Sequence, residues 1–179
     1  MTAEFGAPWS RQLILVSALA TVLILVVTAI LAVAPDTEGF MRILVAAAPL
    51  AVLAGSALFA VRGYELSRGS LLVRRLLWTT EIPLSGLERA RQDPSALRGS
   101  IRLFGNGGLY SFHGIFWNSA LGRYHAYATD PRRAVVLVLD SRTVVVTPDD
   151  PRRFLEQLAR VRPGARIEEA TAPAEGSRT

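Results

Sequence analysis

Two long uncharged runs near the start of the chain constrain its fold more than any other feature. Leu13 to Ala34 reads LILVSALATVLILVVTAILAVA, without one charged residue. As a helix at 1.5 Å per residue it is about 33 Å long, enough to cross a hydrocarbon core. Ile43 to Val61, ILVAAAPLAVLAGSALFAV, is the second such run, and the PDTEGFMR between them suffices to turn a helical hairpin. A soluble core helix rarely needs so long an apolar stretch. A cleaved signal peptide fits poorly, although Ala32-Val33-Ala34 imitates a cleavage site. The run is too long for a signal h-region, Arg11 is its only leading cation, and Pro35 would follow the cut. Pro49 is placed to kink the second helix. Ala47, Ala51 and Gly55, four apart, form a small-residue face for the first span or for a second copy of the chain.

Charge then divides the chain. The first 61 residues hold only Glu4, Arg11, Asp36, Glu38 and Arg42, and the remainder carries nearly all of the charge behind a net +5. Arg62, Arg68, Arg74 and Arg75 follow closely on the second run, against one Arg in the N-terminal segment and one in the connection. By the positive-inside rule this sets residues 1–12 as a cytoplasmic tail, 13–61 as a transmembrane hairpin, and the rest as a cytoplasmic domain. The expectation is a multi-pass protein of the inner cell membrane with both termini cytoplasmic. Trp9 and Phe40 stand where interfacial anchors belong.

Composition removes several chemistries. There is no cysteine, so no disulfide, thiolate nucleophile or cysteine metal site. Every basic residue other than His is Arg, which excludes lysine Schiff bases and any phosphate loop built on a lysine.

After Val61 the pattern turns to short alternating runs: Tyr64–Ser67 and Leu71–Val73 about an Arg68-Gly69 turn, then Glu81–Leu84, Leu87–Arg91, Arg123–Thr129, Ala134–Leu139 and Thr143–Thr147. QDPSALRGS reads as a loop. Asp150 and Pro151 open a helix whose stripe is Phe154, Leu155, Leu158 and Val161, stopped by Pro163-Gly164. Residues 163–179 lack periodicity and read as a disordered tail. About seven strands followed by one amphipathic helix suggest a small barrel or two packed sheets closed by the helix.

YELSRGSLLVRR, EIPLSGLERA, LFGNGGLYSFHGIFWNSALGRYHAYATD and VVVTPDDPRRFLEQL together resemble the bacterial pleckstrin-homology-like (bacterial PH) domain family over residues 62–162. The resemblance implies an α+β fold: two nearly orthogonal antiparallel sheets with a C-terminal helix, often appended to transmembrane helices. It implies no catalytic activity. The basic early loop through which eukaryotic namesakes bind phosphoinositides is reduced here to Arg68-Gly69-Ser70, so lipid specificity does not carry over.

The GNGGLYSFHGIFWN block raises the question of a site. As a phosphate cradle it lacks the Lys and Ser/Thr after the second glycine, and G-N-G-G-L-Y is not a dinucleotide fingerprint. No cofactor is called for. His113 and His125, the only histidines, are the candidates for a metal or catalytic site, with Asp130 as the nearest acid, but no metal-ligand spacing joins them. Alternation places Tyr110, Phe112 and Phe116 on one strand face, closing the core, and leaves Ile115 and Trp117, with Arg123, as the candidate partner surface. Scattered arginines alternating with acids argue against nucleic acid. The candidate partners are the membrane itself, anionic headgroups at Arg62, Arg68, Arg74 and Arg75, a protein, or a second copy. The chain reads as a non-enzymatic, membrane-anchored interaction or scaffolding module, with an anionic-lipid sensor as the alternative and a His113/His125 site as the lesser one.

Overall fold

In the computed structural model, which describes residues 2–33 and 39–168, the two apolar runs form α1 (Arg11–Val33) and α2 (Gly39–Leu58). Both are long and apolar enough to cross a membrane. Ser10 caps α1: its hydroxyl oxygen accepts from the Leu13 N–H at 3.1 Å. The small-residue face of α2 is covered only in part within one chain, at Gly55. Ala47 and Ala51 are exposed, while Val45, Ala46, Pro49 and Leu53 lose accessibility.

The domain that follows has two sheets and a helix, as the α+β expectation required. The smaller sheet is a meander of β2 (Gly63–Leu66), β3 (Ser70–Arg74) and β4 (Thr79–Pro83), extended at its edge by β1 (Ala3–Gly6) from the N-terminal segment. The larger runs in the order β11-β5-β9-β10-β8-β7-β6. It comprises β5 (Leu87–Gln92), β6 (Ile101–Leu109), β7 (Ser111–Asn118), β8 (Gly122–Ala128), β9 (Val135–Leu139), β10 (Arg142–Val146) and β11 (Arg166–Glu168). It is not wholly antiparallel. After β8, Asp130 caps a 3-10 turn at Pro131–Arg133, and the chain crosses to pair β9 with β5. The tight return into β10 then inserts that strand between β9 and β8, so β10 runs parallel to β8.

Alternation decides which residues face inward. Leu71 and Val73 enter the main core while Arg74 points out, and Val144 and Val146 do the same from β10. α3 (Pro151–Val161) closes this core with Phe154, Leu155 and Leu158, and the Asp150 carboxylate accepts the Arg153 N–H at 3.0 Å as its N-cap. Tyr64 is the polar hub. Its fully buried hydroxyl donates to the Tyr127 carbonyl at 2.5 Å and accepts from the Thr147 N–H at 3.1 Å, tying the two sheets together. Burial pushes this phenol up to about 12, so it stays a neutral donor. A second cluster lies on the other face of the large sheet, around Phe116, Tyr124 and Val136. The QDPSALRGS loop covers it by burying Ala96, whose carbonyl accepts from Asn118 Nδ2 at 2.8 Å.

The termini carry more structure than the sequence pattern implied. The N-terminal segment includes a strand: β1 pairs antiparallel with β2, from Ala3 opposite Leu66 to Gly6 opposite Gly63. Phe5 enters the core, and the Pro8 carbonyl accepts from Thr129 Oγ1 at 2.9 Å. Past Pro163 the chain adds β11 parallel to β5, with Ile167 against the core. A strand of three residues is too short to leave a periodicity, and the open edge of β5 recruits it. The rest of the expected tail, 169–179, and the segment 34–38 lie outside the described residues.

Candidate functional site

Three elements meet where α2 ends. The ring of Phe59, one residue past the helix, packs edge-on to Trp78 with centroids 4.8 Å apart and lies parallel to His113 at 5.0 Å. Arg75, from the turn between β3 and β4, has its guanidinium 5.4 Å from the Phe59 ring, 5.7 Å from Trp78 and 5.5 Å from Tyr127. Its Nη1 donates to the Phe59 carbonyl at 2.9 Å, the placement that a helix C-terminus favours for a cation. This packing desolvates the guanidinium and lowers its pKa. Of the four arginines proposed from sequence, Arg75 is therefore already engaged as the clamp between helix and domain.

Arg62 and Arg74 are more open. They line a cleft of about 450 Å³ together with Glu4, Phe5, Arg75 and Leu76. Backbone pairing brings them together, since the Arg62 N–H donates to the Arg74 carbonyl at 2.8 Å. Glu4 Oε2 lies 3.3 Å from Arg74 Nη1, an exposed pair that contributes little. Arg68 does not join them. It sits at the other end of the β2–β3 hairpin, about 15 Å along the strand.

Strands β7 and β8 form the second candidate surface. Their register sets His113 opposite Tyr127, Ile115 opposite His125 and Trp117 opposite Arg123, all on one face. Trp117 is 44% exposed and Arg123 is exposed, while Ile115 is half-buried. The expected Tyr110, Phe112, Phe116 face holds only in part. Phe112 and Phe116 pack in the second cluster, but Tyr110 occupies the turn with φ of 65° and is directed to α1 instead.

The histidines share that face without acquiring catalytic company. Asp130 is committed to its own turn, accepting from the Arg132 N–H at 3.2 Å and pairing with Arg132 and Arg133. Among the described residues no group of three His, Asp or Glu side chains could hold a metal ion. The local field also opposes a cation. Burial first, and then Arg75, lower the His113 pKa to about 4, and burial with Arg142 and Arg123 lowers that of His125.

This has a pH consequence. His113 is neutral when folded but takes a proton near 6.5 when unfolded, so the unfolded chain binds more protons between pH 6.5 and 4. Its contribution is fully present above pH 6.5 and lost as pH falls through that window. We expect His113→Gln, which cannot titrate, to give a flatter dependence of melting temperature on pH between 6.5 and 4 than the parent chain.

The β2–β4 meander, the large sheet joined to it through Tyr64 and the closing helix α3 all fall within one recognisable stretch of the chain. A family model described as Bacterial PH domain matches residues 62–162. The chain belongs to that family. No curated protein matches the chain. PH domains mediate lipid or protein interactions and are generally non-catalytic. In this PH domain the tyrosine leading the first family strand is the buried inter-sheet hydrogen-bond hub, so its role is structural.

Sequence reasoning missed Phe59, which reads as the end of the second apolar run, and Trp78 with the turn that carries Leu76 and Leu77, which lies between two strands and has no period of its own. It also missed Ser17 and Thr21 on α1, although hydroxyls four apart in an apolar run are a readable sign of one polar stripe.

Proposed function

We propose that this chain is a two-span inner-membrane protein whose PH domain lies on the cytoplasmic face as a non-enzymatic interaction module. In this reading Arg62 and Arg74 meet anionic headgroups, and Trp117 with Arg123 offers a protein-binding face. The observation that carries it is the pairing of Ala3–Gly6 with Gly63–Leu66 across the two helices. A chain whose segments before and after a helical pair share one sheet must return to the face it left. The arginines after α2 favour the cytoplasm as that face. The same pairing speaks against a cleaved signal peptide, since cleavage would remove an edge strand and Phe5 from the core.

The chain has no cysteine, so single substitutions label without background. In intact cells, Thr37→Cys should react with a membrane-impermeant maleimide and Ser119→Cys only after lysis. The reverse pattern rejects the cytoplasmic placement. Headgroup contact has its own measurement. An arginine near an anionic surface contributes about 1 kcal/mol, so the full chain should melt higher in nanodiscs of phosphatidylcholine with phosphatidylglycerol than in phosphatidylcholine alone. Arg62→Ala with Arg74→Ala should erase most of that difference. A difference that survives the double replacement removes the cleft from the proposal.

A further inference from the structure

The hairpin of β6 and β7 stands beside α1, and its turn is bonded to hydroxyls inside that helix's apolar run. The Tyr110 N–H donates to Ser17 Oγ at 2.9 Å, Ser17 Oγ reaches the Gly108 carbonyl at 3.5 Å, and Tyr110 OH lies 2.8 Å from Thr21 Oγ1. Ser17 and Thr21 are about 6 and 12 Å past Leu13, where the uncharged run begins. If the hydrocarbon began only beyond the hairpin, Thr21–Val33 would remain to cross it, about 20 Å of helix against roughly 30 Å of core. The second helix sets the same level independently. Gly39–Leu58 is about 30 Å long and needs its whole length to span. Its end is marked by Phe59 stacking on His113, and the turn lies about 10 Å further along the hairpin.

Four backbone groups of the turn are also bonded to protein side chains. Non-helical backbone is tolerated at membrane depth only where protein satisfies its polar groups. The Leu109 N–H donates to Asn106 Oδ1 at 3.1 Å and the Leu109 carbonyl accepts from Asn106 Nδ2 at 2.5 Å, while Ser17 serves Gly108 and Tyr110. At the level where α2 ends the flanking Phe104 and Leu77 are apolar and open, and the exposed Arg102, whose flexible side chain reaches Gly107, is long enough to carry its guanidinium to the headgroups. Phe104, beyond a register shift that follows Arg102, is 74% exposed, and Leu77, beside Trp78, is 73% exposed.

We propose that the Asn106–Tyr110 turn is a re-entrant element seated in the bilayer against the first span and covered by acyl chains, with Phe104 and Leu77 at the headgroup boundary. The proposal rests on the two-span reading above. It makes the PH domain a body fixed to the bilayer at the hairpin, the β3–β4 turn and the α2 end, rather than one swinging from Val61. The Arg62/Arg74 cleft is then held in a set orientation to the headgroups.

The test uses full chains carrying one cysteine each, at Leu109, Leu23 or Ser119, labelled with an environment-sensitive fluorophore in vesicles of phosphatidylcholine with phosphatidylglycerol. Quenching by acyl-chain spin labels is compared with quenching by aqueous iodide. The expected result is lipid quenching without iodide quenching at Leu109→Cys and Leu23→Cys, and iodide quenching alone at Ser119→Cys. Lipid quenching at Leu23→Cys with iodide quenching at Leu109→Cys overturns the insertion and leaves the spans standing. Iodide quenching at Leu23→Cys overturns the span reading and the insertion with it. Should Leu109→Cys fail to fold, Gly107→Cys reads the same turn: its φ is not in the left-handed region, and an added Cβ meets only the flexible Arg102 side chain, at 3.3 Å and beyond.

Discussion

Replacing Gly114 with alanine is expected to break the β6–β7 hairpin and to be among the most destabilising single changes in the domain. Gly114 sits opposite Gly105 in the β6–β7 ladder, and the two have φ of 122° and 101°. An L side chain there costs of order 1–3 kcal/mol in backbone strain alone. Space is refused as well. A Cβ on Gly114 would overlap the Phe104 carbonyl oxygen and come within 2.9 Å of the Gly105 Cα. A Cβ on Gly105 would meet the His113 carbonyl and lie 2.8 Å from the Gly114 Cα. These are backbone atoms of a paired strand, so relief requires the strands to separate. Together the two effects should exceed about 3 kcal/mol, a fall in melting temperature of about 12–24 °C for a domain of this size. Gly99→Ala separates the contributions. Its φ is 61° but nothing lies within 4 Å of an added Cβ, so only about 1–2 kcal/mol of conformational cost should appear. Thermal unfolding of the full-length variants in detergent measures both. A Gly114→Ala chain that melts with the Gly99→Ala chain contradicts the close approach of the two strands.

That glycine pair marks where sequence reasoning reached its limit. The two long apolar helices, most strands between Tyr64 and Thr147 and the Asp150-capped helix were legible because each carries an apolar run, a period or a cap that needs no partner to be recognised, whereas glycine-rich β6 (Ile101–Leu109) carries none of these. The glycines of GNGGLYSFHGIFWN were readable as tight turning and close approach. Their pairing across strands was not, since register is a property of two segments. Tyr110 was assigned to the wrong face for a related reason. Alternation extrapolates from the strand, and a residue with φ of 65° at the turn leaves that alternation. The candidate arginines show the same division: sequence proximity to the span gathered four, and the strand ladder separated Arg68 from Arg62 and Arg74 while aromatic packing took Arg75. The β1 strand was the least legible. AEFG has no repeat, and its partner lies beyond both helices.

The energetic weight of that strand falls on Phe5, and Phe5→Ala should show it. The ring is buried, meets Phe154 edge-on with centroids 5.1 Å apart, and has the Arg153 guanidinium 5.7 Å from its centre. Truncating a buried Phe costs about 3–5 kcal/mol where the site cannot collapse. An edge strand can retreat, so the lower end of that range, about 3 kcal/mol, is expected for the full chain. The loss should be local first. Without Phe5 as its anchor β1 detaches, the edge of β2 opens, and amide exchange at Gly63–Leu66 should accelerate before exchange at Val144–Val146, which other strands flank on both sides. Uniform acceleration through both sheets would instead make Phe5 a residue of the global core, with β1 inseparable from it. The same reasoning applies to a fragment cut at Arg62, where the family match begins. Such a fragment lacks the side chain that covers Phe154, and a peptide of residues 2–10 supplied in trans should raise its melting temperature, whereas the same peptide with Phe5→Ala should not.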